Sequence, residues 1–308
     1  MRVVWVTGAR GFIGKNLCNY LARQGNQVLG LGHGALPPEI SSKFGISYWL
    51  NGEIEEFNLR QLLETSGQPD VIYHLAGGSS VGLSIQAPAE DFRRSVSTTA
   101  ALLEWIRGNV LETKLVVSSS AAIYGNNHTG VISEDGCFTP YSPYGFHKRA
   151  AELLCESYAH NFGLKIAIVR LFSVYGPGLC KQLLWDLCHR LQQSPSILEL
   201  HGTGDEIRDW LFVEDAVRVL IAVADKASCT PLIVNGGTGI GTCVRDVATI
   251  LSQAWGESPQ IKFSGKQRSG DPFSLIADIQ HLQTIGCVPK HKLSAGMEEY
   301  VRWFKQLQ

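Results

Sequence analysis

The sequence predicts an α/β fold, in which a Rossmann-type, doubly wound parallel sheet is followed by a smaller C-terminal α/β lobe. Over the first 172 residues, apolar runs alternate with segments of helical periodicity. The runs are continuously apolar, which is typical of strands buried on both faces of a parallel sheet. A glycine-rich loop, Thr7–Gly14, follows the first run. We expect a Rossmann domain over 1–172, with a return segment near 209–237, and a lobe formed mainly by 173–308.

Apolar runs predict the strands, and apolar residues three and four apart predict the helices. Such residues recur from Phe92 to Ile106 and predict a long helix over 88–109. Ser142 and Pro143 predict the start of another helix, because serine caps a helix N-terminus and proline suits its first turn. The other predicted elements are strands at 3–6, 27–31, 71–75, 115–118, 165–170 and 232–235, and helices at 13–24 and 246–254.

Composition excludes several classes of function. Lys and Arg number 27 against 28 Asp and Glu, and no basic tract stands out, so we expect no nucleic-acid partner. No apolar run approaches the roughly 18 residues of a membrane span. The start of the chain lacks a signal-peptide pattern, and the 8 cysteines form no CxxC pair. We therefore expect a reduced, cytoplasmic protein without a membrane partner and without a metal site.

The glycine-rich loop predicts a dinucleotide site. It lies between a strand and a helix, an order that directs backbone N–H groups and a helix N-terminus at a pyrophosphate. Gly11 would let the backbone approach the phosphates, and Gly14 would let the helix pack closely against the strand.

The residues around the second strand bear on which cofactor binds. An NAD site usually has an acidic residue at the end of that strand, where this chain has Leu31-Gly32-His33-Gly34. Arg10 lies in the loop within reach of the same ribose, and a guanidinium suits a 2′-phosphate. We therefore favour NADP(H). NAD(H) remains an alternative if Arg10 is simply solvated.

Tyr144 and Lys148 are four residues apart, so they share one face of a helix. Free tyrosine has a pKa of about 10. The Lys148 ammonium and the start of the helix would both lower it, which makes tyrosine a usable acid and base. Ser120, at the end of the preceding strand, could hydrogen bond the same substrate oxygen, and Lys148 could also hold the nicotinamide ribose. This set predicts chemistry between an alcohol and a carbonyl.

At these residues the sequence resembles the extended short-chain dehydrogenase/reductase (SDR) family, in particular its nucleotide-sugar epimerases, dehydratases and ketoreductases. The resemblance covers nearly the whole chain. The similar segments are TGARGFIG at 7–14, HLAG at 74–77, SSSAAIYG at 118–125, SPYGFHK at 142–148, RLFSVYGPG at 170–178, GDEIRDWLFVEDA at 204–216, NGGTGIG at 235–241 and RSGDP at 268–272.

The resemblance implies a role for each site residue. The catalytic set would be Ser120, Tyr144 and Lys148, and the substrate a nucleotide-diphosphate sugar. The implied substrate-binding residues are Ser79, Ser80, Ser120, Ser173, Arg208 and Arg268. The implied cofactor-binding residues are Gly8, Arg10, Gly11, Phe12, Ile13, Gly14, Gly32, His33, Glu53, Ile54, Leu75, Ala76, Gly77, Ser118, Tyr144, Lys148 and Leu171.

Within this set, Glu53 and Ile54 would lie near the adenine. Arg208 and Arg268 would clamp the diphosphate, since arginine binds phosphate in a bidentate manner, although either could instead form a structural ion pair. Members of the family usually form homodimers through helices that correspond to 90–108 and 145–162 here.

The resemblance leaves the reaction open between two alternatives. The dehydratases usually have an acidic pair where this chain has Ala121 and Ala122, so dehydration is disfavoured. We favour an NADPH-dependent reductase of a 4-keto sugar nucleotide, because Arg10 suits NADPH and Ser79-Ser80 look more like the reductases. The alternative is a nucleotide-sugar 4-epimerase with tightly bound NAD, since SSSAAIYG looks very like the epimerase form. A catalytically silent, cofactor-binding regulator is the third hypothesis.

Two positions depart from the family pattern. Ser173 and Ser95 both stand where the family commonly has asparagine. The shorter side chains indicate either an altered sugar pocket or water in place of the amide.

Overall fold

The chain forms two compact units in the computed structural model, which describes residues 1–266 and 272–307. The first unit comprises Met1–Tyr124, Pro140–Leu171 and Val217–Val234. The second comprises Gly125–Thr139, Phe172–Ala216 and the described part of Asn235–Gln308.

The elements are numbered in chain order. The strands are β1 (Val3–Thr7), β2 (Gln27–Gly32), β3 (Tyr48–Asn51), β4 (Val71–His74), β5 (Lys114–Ser120), β6 (Val131–Ile132), β7 (Lys165–Leu171), β8 (Ser173–Tyr175), β9 (Ile197–Leu200), β10 (Ile207–Phe212), β11 (Leu232–Gly236), β12 (Gly241–Cys243), β13 (Gln260–Phe263) and β14 (Ser274–Ala277). The α-helices are α1 (Phe12–Arg23), α2 (Pro38–Lys43), α3 (Glu56–Ser66), α4 (Val81–Gln86), α5 (Pro88–Phe92), α6 (Thr98–Asn109), α7 (Pro143–Phe162), α8 (Gln182–Leu191), α9 (Val213–Ala224), α10 (Val244–Trp255), α11 (Gln280–Thr284) and α12 (Leu293–Lys305).

The first unit is built on a seven-stranded sheet of order β3-β2-β1-β4-β5-β7-β11. The pairs from β3 through to β7 are all parallel. The predicted α/β class and parallel sheet are therefore confirmed. The strand order reverses between β1 and β4, and in open parallel sheets ligands bind at the carboxyl ends of the strands at such a reversal.

Apolar side chains bury both faces of this sheet. Trp5, Leu29, Ile72 and Ile168 lie in its core, together with the buried side of α6. Each buried side chain of this size stabilises the fold by about 1.5–3 kcal/mol through removal of apolar surface from water. The apolar runs in the sequence are continuous because both faces of these strands are buried.

The long helix predicted over 88–109 is interrupted in the structure. It consists of α5, a π-helical turn at Arg93–Ser97, and α6. The hydroxyl groups of Thr98 and Thr99 donate to the carbonyl oxygens of Arg94 and Ser95, at 2.5 and 2.6 Å. Hydrogen bonds from a side-chain hydroxyl group to the carbonyl oxygen four residues earlier compete with the backbone hydrogen bonds of a helix.

Helix α7 begins where its sequence predicts. Ser142 caps its N-terminus by accepting a hydrogen bond from Gly145 N at 3.2 Å, and Pro143 lies in the first turn. Gly163 ends the helix in the left-handed conformation. Gly145 also allows close packing, because a Cβ at this position would lie 2.6 Å from the carbonyl oxygen of Ala122.

The second unit contains a mixed sheet of order β12-β10-β14-β6, with β8 paired to β10, and a separate parallel pair of β9 and β13. The fully buried carboxylate of Asp209 on β10 joins three segments of this unit. It accepts hydrogen bonds from the backbone N–H groups of Thr238 at 2.7 Å, Gly239 at 2.9 Å and Ala277 at 3.2 Å. Burial raises the pKa of this carboxyl, and the hydrogen bonds oppose that shift.

Within the described residues, no helix combines the length and the apolar character needed to cross a membrane. The same residues bring together no group of three or more His, Cys, Asp or Glu side chains that could hold a metal ion.

A buried ion pair supplies a test of how the first unit is stabilised. Arg170 and Glu152 are each 1% exposed and form two hydrogen bonds of 3.1 Å. Glu152→Gln would leave the Arg170 guanidinium buried without its counter-charge, so we expect a loss of about 3–5 kcal/mol in the free energy of unfolding. Urea unfolding monitored by tryptophan fluorescence measures this change.

The matched control is Glu104→Gln, which removes an exposed carboxylate from its pair with Arg107 and should leave the unfolding midpoint nearly unchanged. Equal effects of the two substitutions would contradict the assigned role of the buried pair.

Candidate active site

The glycine-rich loop connects three strands at the carboxyl edge of the sheet. Gly8 has φ +70°, and a Cβ here would lie 2.8 Å from the backbone nitrogen of Ala76, which follows β4. The N–H of Gly8 donates to the carbonyl oxygen of Leu31 on β2 at 2.8 Å. A Cβ on Gly14 would overlap the carbonyl oxygen of Gly8, in agreement with the close helix packing expected of this glycine.

Helix α1 starts directly after this loop and offers its N-terminus to a ligand. Gly11 precedes the helix, and Phe12 and Ile13 form its first turn. The first N–H groups of a helix have no acceptors within the helix, and its dipole favours negative charge. A cradle of glycine backbone joined to a helix N-terminus fits the pyrophosphate of a dinucleotide.

Tertiary structure brings a carboxylate to the end of β2, where the sequence has none. Strands β2 and β3 pair so that Gly32 is opposite Asn51. Glu53 follows β3, and its Oε2 lies 3.4 Å from His33 Nε2. Arg10, exposed in the glycine-rich loop, donates to the carbonyl oxygen of His33 at 3.2 Å. Ile54, next to Glu53, is buried in the core.

A buried hydrogen-bond network organises the end of β4. His74 bonds Thr7 Oγ1 through Nδ1 at 2.8 Å and Thr99 Oγ1 through Nε2 at 3.0 Å. Burial and, to a smaller extent, the charge of Lys148 lower the pKa of His74 to about 3, so this imidazole is neutral at physiological pH. Leu75 and Ala76 donate backbone hydrogen bonds to Thr7, which fixes the segment that leads to Gly77.

Ser120, Tyr144 and Lys148 are grouped around the end of β5. Ser120 is the last residue of β5, opposite Leu171 of β7. Tyr144 lies in the first turn of α7, where its backbone N–H donates to the fully buried Ser84 Oγ at 3.1 Å. Lys148 Nζ donates to the carbonyl oxygen of Ser118 at 3.0 Å and lies 5.9 Å from the centroid of the Tyr144 ring.

The pKa of Tyr144 differs from the expectation that Lys148 lowers it. Burial raises the pKa of Tyr144, a hydrogen bond with the Ser120 side chain lowers it, and the charge of Asp91 raises it. Burial also lowers the pKa of Lys148 to about 8. In this arrangement Ser120 is the group that favours the phenolate of Tyr144. Burial has a larger effect than this hydrogen bond and raises the pKa of Tyr144, and burial also disfavours the charged form of Lys148.

The predicted substrate residues fall into different parts of the chain. Ser80 caps helix α4 by accepting from Leu83 N at 3.3 Å, and Ser79 is exposed beside it. Ser173 and Arg208 belong to the second unit. Arg268 lies outside the described residues.

In the second unit, the sheet places Ser173 and Arg208 on one face. Ser173 on β8 is opposite Trp210 on β10, and Arg208 precedes Trp210 by two residues. Side chains two apart on a strand point to the same face. Arg208 Nη1 donates to the carbonyl oxygen of Ile207 at 2.8 Å.

Sequence reasoning missed Ser84 and Asp91. Ser84 precedes Tyr144 by 60 residues and Asp91 precedes His147, its partner at 2.6 Å, by 56. The sequence offers one signal for these two residues: each is polar at a position that helical periodicity predicts to be buried.

The pKa of Tyr144 provides a test of the role of Ser120. Because the Ser120 hydrogen bond lowers this pKa, Ser120→Ala should raise it and move the phenolate transition to higher pH. The transition is measured as absorbance at the phenolate band, after subtraction of the same protein carrying Tyr144→Phe. Ser79→Ala is the control, and a transition unmoved by Ser120→Ala would contradict the assigned hydrogen bond.

Comparison with known proteins adds independent information on this site. The sequence matches the NAD dependent epimerase/dehydratase family over residues 4–237. A Bacillus subtilis (strain 168) protein named as an uncharacterized UDP-glucose epimerase, YtcB, is 30% identical to this chain over 315 residues, which cover 99% of this chain and 98% of that protein.

Two solved structures share the fold over nearly the full length of both chains. MoeE5 in complex with UDP-glucuronic acid and NAD is 30% identical with a TM-score of 0.87, covering 99% of each chain. The UDP-glucuronic acid 4-epimerase from Bacillus cereus in complex with UDP-glucuronic acid and NAD is 29% identical with a TM-score of 0.88, covering 99% of this chain and 100% of that one. The chain therefore belongs to the NAD dependent epimerase/dehydratase family and is an enzyme of the extended SDR group.

Proposed function

We propose that the protein is a 4-epimerase of a uridine-diphosphate sugar, with NAD as its bound cofactor. The observation that carries this proposal is the convergence of Ser120, Tyr144 and Lys148 at the end of β5, in a chain whose relatives are named as UDP-sugar epimerases. The sequence analysis favoured a 4-keto reductase, which these relatives do not support. They support its alternative, the epimerase.

The catalytic residues would act on the oxygen at C4 of the sugar. NAD, when bound, would supply a reversible acceptor for the hydride of C4, and return of that hydride to the opposite face of the ring would give the 4-epimer. Tyr144 takes the proton of the 4-hydroxyl in the first half of the reaction and returns it in the second. Ser120 hydrogen bonds the same oxygen, and its bond with Tyr144 aligns the two groups. Ser120 is the group that favours the phenolate. Lys148 would hold the nicotinamide ribose.

Charge at the end of β2 supports NAD over NADP. The Glu53 carboxylate lies 3.4 Å from His33 and also 3.4 Å from Arg93 Nη1. A 2′-phosphate in this corner would meet that negative charge, whereas ribose hydroxyls can donate to a carboxylate. Both solved structures above contain NAD. The preference for NADP(H) inferred from Arg10 has no support from these structures, and we propose the alternative of the sequence analysis, NAD(H).

We assign the cofactor to the first unit and the nucleotide diphosphate mainly to the second. In the first unit, the residues proposed to hold NAD are those named in the sequence analysis, from Gly8 to Leu171. In the second, Arg208 is proposed to bind the diphosphate, since guanidinium groups suit phosphate oxygens. Arg268, which lies outside the described residues, is proposed for the same role from the family resemblance alone. Ser173, on the same sheet face as Arg208, is proposed to contact the substrate.

The test is to incubate the purified protein with UDP-glucose and, separately, with UDP-glucuronic acid, and to resolve the 4-epimers by nuclear magnetic resonance. We expect epimer formation without added cofactor, and NAD as the nucleotide released on denaturation. Tyr144→Phe should lower kcat by about 10²–10⁴-fold, the usual contribution of a general acid and base.

Tyr158→Phe is the matched control, because Tyr158 lies on the same helix and its hydroxyl bonds the exposed Glu104. NADPH-dependent reduction of a 4-keto sugar nucleotide, with no 4-epimer and with NADP released on denaturation, would contradict the proposal.

We also propose that the protein forms a homodimer through α7. Phe146 and Leu153 on this helix are more than half exposed, and they are seven residues apart, which places them on one face. Phe92 on α5 is also exposed. Such apolar residues on the helices through which the resembling family dimerises would be buried by a second copy.

Light scattering should give about twice the chain mass of 33.7 kDa. The double substitution Phe146→Asp and Leu153→Asp should reduce the measured mass to that of one chain, because it places charge in the interface. Substitution of the exposed Leu307→Asp is the control. A wild-type mass of one chain would contradict the homodimer.

A further inference from the structure

A hydrogen-bonded pair of side chains, Asp91 and His147, lies beside the proposed catalytic residues and has no part in the mechanism above. Asp91 Oδ2 is 2.6 Å from Nδ1 of His147, and the two side chains are 7% and 16% exposed. His147 directly precedes Lys148 on α7, and Asp91 lies on α5, which packs against α7. The edge of the Phe92 ring meets the His147 ring, at 5.4 Å between centroids and an angle of 82°.

The same carboxylate packs against the glycine segment after β4. A Cβ on Gly78 would overlap Asp91 Oδ1, so the carboxylate lies directly on this backbone. Gly78 N donates to Ser95 Oγ at 2.9 Å, from the π-helical turn that follows α5. The preceding residue, Gly77, adopts φ +142°, and a Cβ there would lie 3.4 Å from Lys148 Nζ. Asp91 thus contacts two of the segments next to Lys148, which are the start of α7 and the Gly77–Gly78 backbone.

The charge of Asp91 acts on Tyr144 and Lys148 because Asp91 and Lys148 are buried and Tyr144 is half-buried. Asp91 raises the pKa of both groups. Glu152, one turn further along α7, also raises the pKa of Lys148. The neutral His74 faces Lys148 from β4.

The other elements packed on α5 do not balance this charge. Helix α4 carries no titratable side chain. Arg93 and Arg94 of the π-helical turn pair with the exposed Glu90.

We propose that the Asp91–His147 pair is a positioning device of the active site, which holds α7 against the Gly77–Gly78 segment and supplies the negative charge that keeps the Lys148 ammonium in its place. The proposal rests on the epimerase function for its kinetic readout only. Asp91 acts through its contacts with His147 and Gly78 and through its charge beside Lys148.

The first test is the pH profile of Asp91→Asn, which keeps the shape of the side chain and removes its charge. Loss of the charge lowers the pKa of both Tyr144 and Lys148. The phenolate then forms at lower pH, which moves the rising limb of kcat/KM down, and the ammonium is lost at lower pH, which moves the falling limb down. We expect the whole profile to shift to lower pH, whereas a purely structural role would lower its height and leave its limbs in place.

The second test compares two substitutions of His147. His147→Gln retains an N–H donor for Asp91, and His147→Ala removes it. We expect His147→Ala to lower kcat/KM on the order of tenfold to a hundredfold through misplacement of the catalytic helix, and His147→Gln to restore most of this loss. Equal activity of the two variants would overturn the positioning role.

The control is Asp225→Asn, which neutralises an exposed aspartate paired with Arg2 and Lys114. Lys114 is the first residue of β5 and Ser120 is the last. The charge of Asp225 therefore lies at the edge of the sheet opposite to the active site. The limbs of the pH profile should not move in this variant.

A measurement independent of turnover separates this inference from the proposed function. Phenolate absorbance is titrated in wild type and in Asp91→Asn, each after subtraction of its Tyr144→Phe counterpart. A Tyr144 transition at lower pH in Asp91→Asn supports the inference even if the protein epimerises neither UDP-sugar. An unmoved transition in a folded Asp91→Asn protein overturns the inference, even if wild-type epimerisation is fast.

Discussion

The active site depends on the close approach of α7 to the end of β5. Gly145 permits it, because a side chain at that position would meet the carbonyl oxygen of Ala122 at 2.6 Å. With this contact, Tyr144 can reach Ser120. Lys148, one turn further along, then reaches the carbonyl oxygen of Ser118. A helix displaced by even the width of a methyl group would separate the donor from the oxygen on which it acts.

A second constraint is the amount of charge that this unit buries. Lys148, Asp91, Glu152 and Arg170 are each less than one-tenth exposed. Buried charges persist only when partners compensate for the loss of water. Here the compensation forms one connected region, in which Arg170 pairs with Glu152, and both Glu152 and Asp91 favour the charged form of Lys148. The stability of the sheet and the protonation state of the catalytic lysine therefore depend on the same side chains.

Much of this architecture is predictable from the sequence because its causes are local. The strands over 3–6, 71–75 and 165–170 were predicted from apolar runs, and the start of α7 from Ser142 and Pro143. Strand β3 was missed, since it has four residues and lies at the edge of the sheet, where half-buried side chains give no continuous apolar run. The π-helical turn was missed because a single turn of this kind leaves the helical spacing of apolar residues on either side nearly unchanged.

For the site, the sequence by itself determined which chemistry is available. The glycine-rich loop, the serine at the end of β5 and the Tyr144–Lys148 spacing each lie within one short segment, so local geometry alone relates their parts. Only the tertiary structure decided the electrostatics. The pairing of β2 with β3 brings Glu53 to His33, and the packing of α5 on α7 brings Asp91 to His147 across 56 residues. A pKa depends on burial and on charges close in space, and residues far apart along the chain become neighbours only when the sheet and its helices have packed.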